Sequence, residues 1–356
     1  MQRKSKVIHV GAVAIGGENP PVVQSMCNTD TRDVTATVAQ IERLRLAGCE
    51  LVRLAVPDEQ AVQALSAIRE QTEIPLIADI HFDYRLALAS VAAGVDALRI
   101  NPGNIGAEWK VREVVQACRD HGLPIRIGVN AGSLEKDLLR TYGHTSAEAM
   151  VASAGRHIRI LEDMNFFDIK LSLKASSVLL TLEAYRAMAR VCDYPLHVGL
   201  TEAGTRDRGL IKSSLAIGLL LAEGIGDTIR VSLTADPVEE VFAAFEILRN
   251  LGLRRVGAEL ISCPGCGRTE IDLIPLAEAV SERLKGIQRP LKVAVMGCVV
   301  NGPGEAREAD LGIAGGHGQG LIFRRGEILR KVPEDQLLSE FMIELEKLQQ
   351  EEDIAP

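Results

Sequence analysis

The sequence predicts an α/β fold: a (β/α)8 TIM-type barrel over residues 1–253, then a smaller α+β domain over residues 254–356. Three observations point there. Short apolar runs alternate with amphipathic helical stretches through eight units between residues 22 and 252. The chain is 47% apolar but only 3% aromatic, so its core must be aliphatic, which suits parallel strands buried on both faces. After Gly252 the rhythm changes, and a CxxC pair opens a different pattern. An open doubly wound sheet is the competing architecture, but no G-x-G-x-x-G follows the first strand.

The expected barrel strands lie at 22–26, 51–56, 75–80, 97–102, 124–130, 168–175, 195–202 and 228–234. Helical periodicity follows them, for example over 34–49, 58–71, 146–164 and 236–250. Glycines 48, 94, 122, 224 and 252 stand at or near helix ends, where a left-handed C-terminal residue is favoured. In the second domain the pattern gives a helix at 271–286, strands at 291–296, 311–314 and 320–324, and a closing charged helix at 334–351.

Forty basic residues against 48 acidic ones leave a net charge of −8, unlike a nucleic-acid surface, which is normally basic. No run approaches the ~20 apolar residues of a membrane helix. The basic start is not followed by a signal-peptide apolar region, so the expected location is cytoplasmic. Seven cysteines in such a chain favour metal binding or chemistry over a disulfide scaffold.

Barrel active sites form where strands end and loops begin. Here strand ends carry polar residues at period-two spacing: Asp79 and His81; Arg99 and Asn101; Arg126 and Asn130; Lys170 and Lys174; Arg230 and Ser232; Arg53 lies in strand two, and His197 and Glu202 belong to strand seven. Lys212 is expected to open the seventh helix. Apolar flanks imply that these side chains point into the barrel. Cations with few acids beside them call for an anionic guest, phosphate or diphosphate above all. Structural ion pairing in the barrel floor is the alternative for any single residue, and His81 and His197 fit satisfied core histidines equally well.

Cys263 and Cys266 form a CxxC pair, and Cys298 follows about thirty residues later in MGCVVNGPGEA, which ends on Glu305 and Ala306. A structural zinc usually takes four Cys or His ligands, with His317 as the remaining candidate. A thioredoxin-like pair leaves Cys298 unexplained. An iron–sulfur cluster uses CxxC plus a distant cysteine. Cys27, Cys49, Cys118 and Cys192 read as small buried hydrophobes.

These segments resemble the 4-hydroxy-3-methylbut-2-enyl diphosphate synthase family in its compact two-domain bacterial form. The resemblance rests on VQSM at 23–26, ADIHFD at 78–83, LRINPGN at 98–104, GVNAGS at 128–133, TEAG at 201–204 and GIGDTIRVS at 224–232, with CPGCGR at 263–268 and MGCVVNGPGEA at 296–306. It implies a 4Fe–4S cluster on Cys263, Cys266, Cys298 and Glu305. It also implies a cyclic diphosphate substrate held by Arg53, Arg99, Asn101, Arg126, Asn130 and Lys212, with Glu202 and Asp79 handling protons. The implied reaction is reductive ring opening with loss of water, in isoprenoid precursor synthesis. Electrons would come from reduced flavodoxin or ferredoxin, and the expected assembly is a homodimer with sites shared between subunits. A sulfite- or nitrite-reductase-like enzyme, or a phosphate-binding barrel with a zinc-stabilised interaction module, are the alternatives.

Overall fold

Eight parallel strands, each followed by a helix, make the first unit. The computed structural model describes residues 3–298 and 306–351, and these fall into two compact units that divide between Arg254 and Arg255. The strands are Val22–Met26, Leu51–Ala55, Leu76–Asp79, Ala97–Ile100, Ile125–Asn130, Ile169–Lys174, His197–Val198 and Thr228–Ile229. They pair in sequence order, the eighth lies between the seventh and the first, and a parallel bridge from Leu171 to Leu196 closes the ring. The expected barrel is therefore present.

Its helices begin where the sequence supplies caps. The side chains of Asp33, Asp58, Asp83, Ser146, Ser177 and Asp236 each accept a first-turn amide, meeting donors that no helical carbonyl can reach. These residues follow strands, so the caps stand at the mouth end of the barrel.

Several elements differ from the sequence expectation. Strands seven and eight are two residues each rather than seven or eight. Beyond Val198, Gly199 lets the Arg230 carbonyl come within 2.4 Å of where a Cβ would stand, so the strands converge instead of continuing a ladder. A hairpin of Ile8–Val10 and Val13–Ile15, turned at Gly11, was not expected because three-residue strands are too short to show alternation. Its Ile8, Val10 and Ile15 pack on Val22, Leu51, Ile77 and Ala97, at the end opposite the mouth. Two further helices, Pro102–Ile105 and Lys136–Tyr142, sit in the loops after strands four and five.

The second unit is one five-stranded sheet. Ala258–Ser262, Leu291–Met296 and Leu311–Gly316 run parallel; Gln319–Arg324 and Glu327–Pro333 continue antiparallel. The first and last of these strands were not expected. The first is only half-buried and mixes Glu259 into its pattern; the last is mostly exposed. The helices Leu273–Leu284 and Leu337–Gln350 pack Val280, Leu284, Phe341 and Leu345 against Val293, Val295, Ile313 and Ile322. The α+β class expected for this part is present.

Candidate active site and cysteine cradle

Strand register brings the barrel cations together. Asp79 stands across from Arg99, Arg99 from Arg126, Arg126 from Lys170, and Asn130 from Lys174. Lys170 and Lys174 share a face of strand six and are four residues apart, about 13 Å at 3.3 Å per residue. Arg53, Arg99, Arg126, Lys170 and Lys174 are all buried. Gly128 is part of the reason: a Cβ there would be 2.6 Å from Arg99 Nε, so glycine lets the guanidinium cross strand five.

Few acids answer these charges. Asp79 accepts from Arg99 Nη1 at 3.1 Å and lies 3.5 Å from Arg53 Nε. Glu240, from the Pro237–Asn250 helix, takes Arg230 at 3.2 Å and also accepts from Ser25 and the Leu233 amide. Arg53 and Arg230 turn further donors to Met26 Sδ, a weak acceptor. Among the described residues, all three guanidinium nitrogens of Arg126 lack a hydrogen-bond partner, as do Lys170 Nζ, Arg99 Nε, His197 Nε2 and both amide atoms of Gln24.

The electrostatics follow. Burial alone would raise the Asp79 carboxyl, but Arg53, a His81 hydrogen bond and Arg99 together hold it far below the usual carboxylate range. It stands as the counter-ion of Arg53 and Arg99. Burial pushes Arg53 down to about 10. Burial, then Arg53 and Arg99, strongly disfavour the Arg126 cation. Lys170 and Lys174 are driven well below the usual lysine value, by burial first and then by Arg126. A guanidinium does not give up its proton in proteins, so an anion is what relieves this field.

The remaining expected residues are placed as follows. Asn101 is buried, and its side-chain oxygen accepts from the Gly103 amide at 3.1 Å, leaving its NH₂ free to donate. Asn130, half-buried, ends strand five. Glu202 is exposed beyond strand seven with φ +53, a left-handed backbone uncommon for glutamate. His81 is half-exposed, with Nε2 3.6 Å from Asp79. His197 is buried, with Nδ1 2.8 Å from Thr228 Oγ1. Lys212 does not open its helix. It is an exposed residue in the second turn of Arg206–Ala222, outside the buried set, whereas Lys174 lies within that set and Arg230 is half-buried beside it. Glu240 was missed altogether, although helical spacing from Pro237 and Ala244 puts it on the buried stripe.

In the second unit, Cys263 follows the strand Ala258–Ser262 and Cys298 lies two residues past Leu291–Met296, so both loops rise from the same edge of parallel neighbours. The Gly297 amide donates to Cys263 Sγ at 3.2 Å. The Cys266 amide donates to Thr269 Oγ1 at 3.0 Å. Cys298 is buried, Cys263 half-buried and Cys266 exposed. Glu305 lies outside the described residues. His317 pairs with Glu270 at 3.2 Å on an exposed turn. Among the described residues, no three His, Cys, Asp or Glu side chains converge closely enough to hold one ion. Three soft thiols on adjoining loops fit a cluster, which spreads its ligands over several irons. The other cysteines are unsuited to chemistry: burial pushes the Cys27, Cys49 and Cys118 thiols up to about 12.

Comparison with known proteins follows these two units. A family model described as the GcpE TIM-barrel domain matches residues 5–245, and the GcpE protein C-terminal domain matches residues 259–347. The chain belongs to the GcpE family. A relative from Geobacter sulfurreducens, 4-hydroxy-3-methylbut-2-en-1-yl diphosphate synthase (flavodoxin), is 62% identical over 98% of this chain and 99% of its own. One of the same name from Maridesulfovibrio salexigens is 61% identical over 97% of each. Among solved structures, N-acetylneuraminic acid synthetase from Leptospira borgpetersenii superposes with a TM-score of 0.52 at 15% identity, over 78% of this chain and 96% of that one. Dihydropteroate synthase from Yersinia pestis gives 0.50 at 14%, over 69% and 98%. At such identity these two share the barrel fold with this GcpE chain and no more.

Proposed function

We propose that the chain converts 2-C-methyl-D-erythritol 2,4-cyclodiphosphate into (E)-4-hydroxy-3-methylbut-2-enyl diphosphate. Two electrons enter and the ring C–O bond opens, leaving a diphosphate oxygen anion. A hydroxyl then leaves as water with one proton. The single observation that carries this reading is the barrel's buried cation set, Arg126 and Lys170 above all. The lumen acids beside it, Asp79 and Glu240, are already engaged by Arg53, Arg99 and Arg230. The identity of full-length relatives supports the substrate and makes a sulfite- or nitrite-reductase-like reading unnecessary.

Each group then has a task. Arg53, Arg99 and Arg126 grip diphosphate oxygens, with Lys174 and Arg230 joining them, and Asn101 and Asn130 orient the ring. Lys212 is retained only as an outer contact. Asp79 keeps Arg53 and Arg99 charged and aimed. Glu202, exposed and held by its left-handed backbone, supplies the proton that completes water. Cys263, Cys266, Cys298 and Glu305 would hold a 4Fe–4S cluster. When bound, that cluster supplies electrons one at a time and a Lewis-acidic iron. Reduced flavodoxin, which the relatives' names carry, or ferredoxin is the donor. We place the enzyme in the cytoplasm as a homodimer whose sites draw on both chains.

Anaerobically prepared protein, supplied with the cyclic diphosphate and reduced flavodoxin, should form the allylic diphosphate, detected by mass spectrometry. A brown protein with full iron and sulfide that binds the cyclic diphosphate but never opens it would refute the assignment. Colourless protein carrying stoichiometric zinc would refute the cluster.

A further inference from the structure

We infer that Thr269 and the Gly297 amide form a device that sets the reduction potential of the cluster. The inference rests on the cluster ligation proposed above and concerns residues that do not themselves bind iron. Thr269 uses both arms of its branched side chain. Its hydroxyl accepts the Cys266 amide at 3.0 Å, while its own amide donates back to the Cys266 carbonyl at 2.9 Å, closing the CxxC turn. Its methyl faces Gly297: a Cβ on Gly297 would be 2.9 Å from Thr269 Cγ2 and 3.2 Å from Leu273 Cδ2.

Gly297 is gripped on both sides. Its carbonyl accepts the Glu270 amide at 2.9 Å, and its N–H donates to Cys263 Sγ at 3.2 Å. Gly315, on the next strand, makes room for this: a Cβ there would be 2.6 Å from the Gly297 oxygen. The segment 269–270 thus straps the loop of Cys263 and Cys266 to the loop of Cys298.

The electrostatic consequence is specific. An N–H donated to a cluster sulfur draws electron density from it and favours the reduced state, so it raises the potential. Cys263 receives such a bond. The Cys266 amide, which could offer a second, is diverted to the Thr269 hydroxyl. The strap at 269–270, through the Glu270 amide on the Gly297 carbonyl, therefore holds one donor on the sulfur shell, and the Thr269 hydroxyl keeps another off it. Thr269 and Gly297 are positioning residues, and their effect is read in a potential.

The test uses full-length protein, loaded anaerobically, with iron and sulfide measured for each variant. Midpoints come from redox titration followed by electron paramagnetic resonance. Gly297→Ala pushes the amide off Cys263 and should move the midpoint to a more negative value. Adding Thr269→Ser removes the methyl that the new Cβ strikes while keeping the hydroxyl, and should recover part of that shift; the hydroxyl, 3.2 Å from the new Cβ, and Leu273 remain in the way of the rest. Thr269→Ser alone should stay near the parent. Thr269→Val, which keeps the methyl but releases the Cys266 amide, should move the midpoint upward and does not depend on the alanine variant folding. Fully loaded Gly297→Ala or Thr269→Val protein with the parental midpoint and resonance would overturn the inference, as would a Gly297→Ala shift that Thr269→Ser leaves untouched. Loss of the cluster reading looks different: full iron in a Cys298→Ser protein removes the cluster ligation itself.

Discussion

Replacing Arg126 by methionine should stabilise the ligand-free protein and cripple substrate binding, two effects of opposite sign from one side chain. Arg126 is buried, and none of its guanidinium nitrogens has a partner among the described residues. Asp79, one strand beyond Arg99, is held by Arg99 and Arg53. Methionine keeps a straight chain of similar reach and removes the charge. Exchanging buried charge for a well-packed apolar group is often neutral or stabilising, by about 1–4 kcal/mol. Water in an open lumen would screen the cation, which favours the lower end, about 1–2 kcal/mol. For a unit of this size that is a rise in melting temperature of about 2–8 °C. The ligand effect runs the other way. Each charge-assisted hydrogen bond to a phosphate oxygen contributes about 1.5–3 kcal/mol, so its loss weakens binding about ten- to hundredfold. Differential scanning calorimetry without ligand and isothermal titration with the cyclic diphosphate read the two halves separately. A lower melting temperature with unchanged affinity would mean that Arg126 is a structural cation, and the argument from unpaired charge would be wrong.

Three further outcomes follow from the same geometry. Cys263→Ser, Cys266→Ser or Cys298→Ser should each abolish colour and turnover, because hard oxygen replaces soft thiolate; Cys49→Ser, at an inert buried thiol, should leave iron content unchanged. Lys170 is depressed by burial and by Arg126, with Asp227 opposing. Between its folded value and the unfolded value near 10.4 the unfolded chain binds more protons, so stability should rise with pH there and fall on the acid side. His197, also depressed, adds the same sign at lower pH. Lys170→Met should flatten the upper part of that slope in urea unfolding series; a parental slope in the variant would remove Lys170 as its source. Glu305→Ala should keep part of the cluster on three cysteines yet lose most turnover, with diphosphate binding intact; parental activity and an unchanged iron environment would rule out ligation by Glu305.

Much of this architecture was legible because two periodicities are strong. The alternation of aliphatic runs and helical stripes marks the barrel, and glycines 48, 94, 122, 224 and 252, all at positive φ, mark helix ends. Period-two spacing placed Arg126 with Asn130 and Lys170 with Lys174 on common faces, and register then set them side by side. What failed was information carried by tertiary contact. Strands seven and eight read as long because their residues are apolar, but the approach of Arg230 to Gly199 ends them early. Lys212 read as a helix-opening cation because nothing in the sequence marks where Arg206–Ala222 turns its exposed face. Glu240 was passed over as an ordinary first-turn acid, although it reaches Arg230, Ser25 and the Leu233 amide.

The same local choices explain how an acidic chain keeps a cationic lumen. Net charge is −8, and the mouth is ringed with aspartates that could fold inward and neutralise the arginines. They do not, because the backbone has first claim on them. Asp33, Asp58, Asp83 and Asp236 accept helix amides, and Asp58, Asp83 and Asp236 also hold the surface arginines 32, 85 and 43. Asp227, nearest Lys170 in charge, accepts from Ser5 and the Leu196 amide and lies 3.7 Å from Arg3. Helix capping thus removes from the lumen the acids that barrel topology would otherwise deliver to it. Exposed caps contribute only about 1 kcal/mol each, yet together they leave Arg126 and Lys170 without hydrogen-bond partners among the described residues. The cation excess is therefore a product of how the loops start their helices as much as of how many arginines the strands carry. Moving one cap carboxylate inward, for instance by giving strand six an aspartate at Ser172, should raise Lys170 toward its ordinary value and weaken diphosphate binding without touching a residue that grips it. If affinity held, the uncompensated charge would not be what selects the anion.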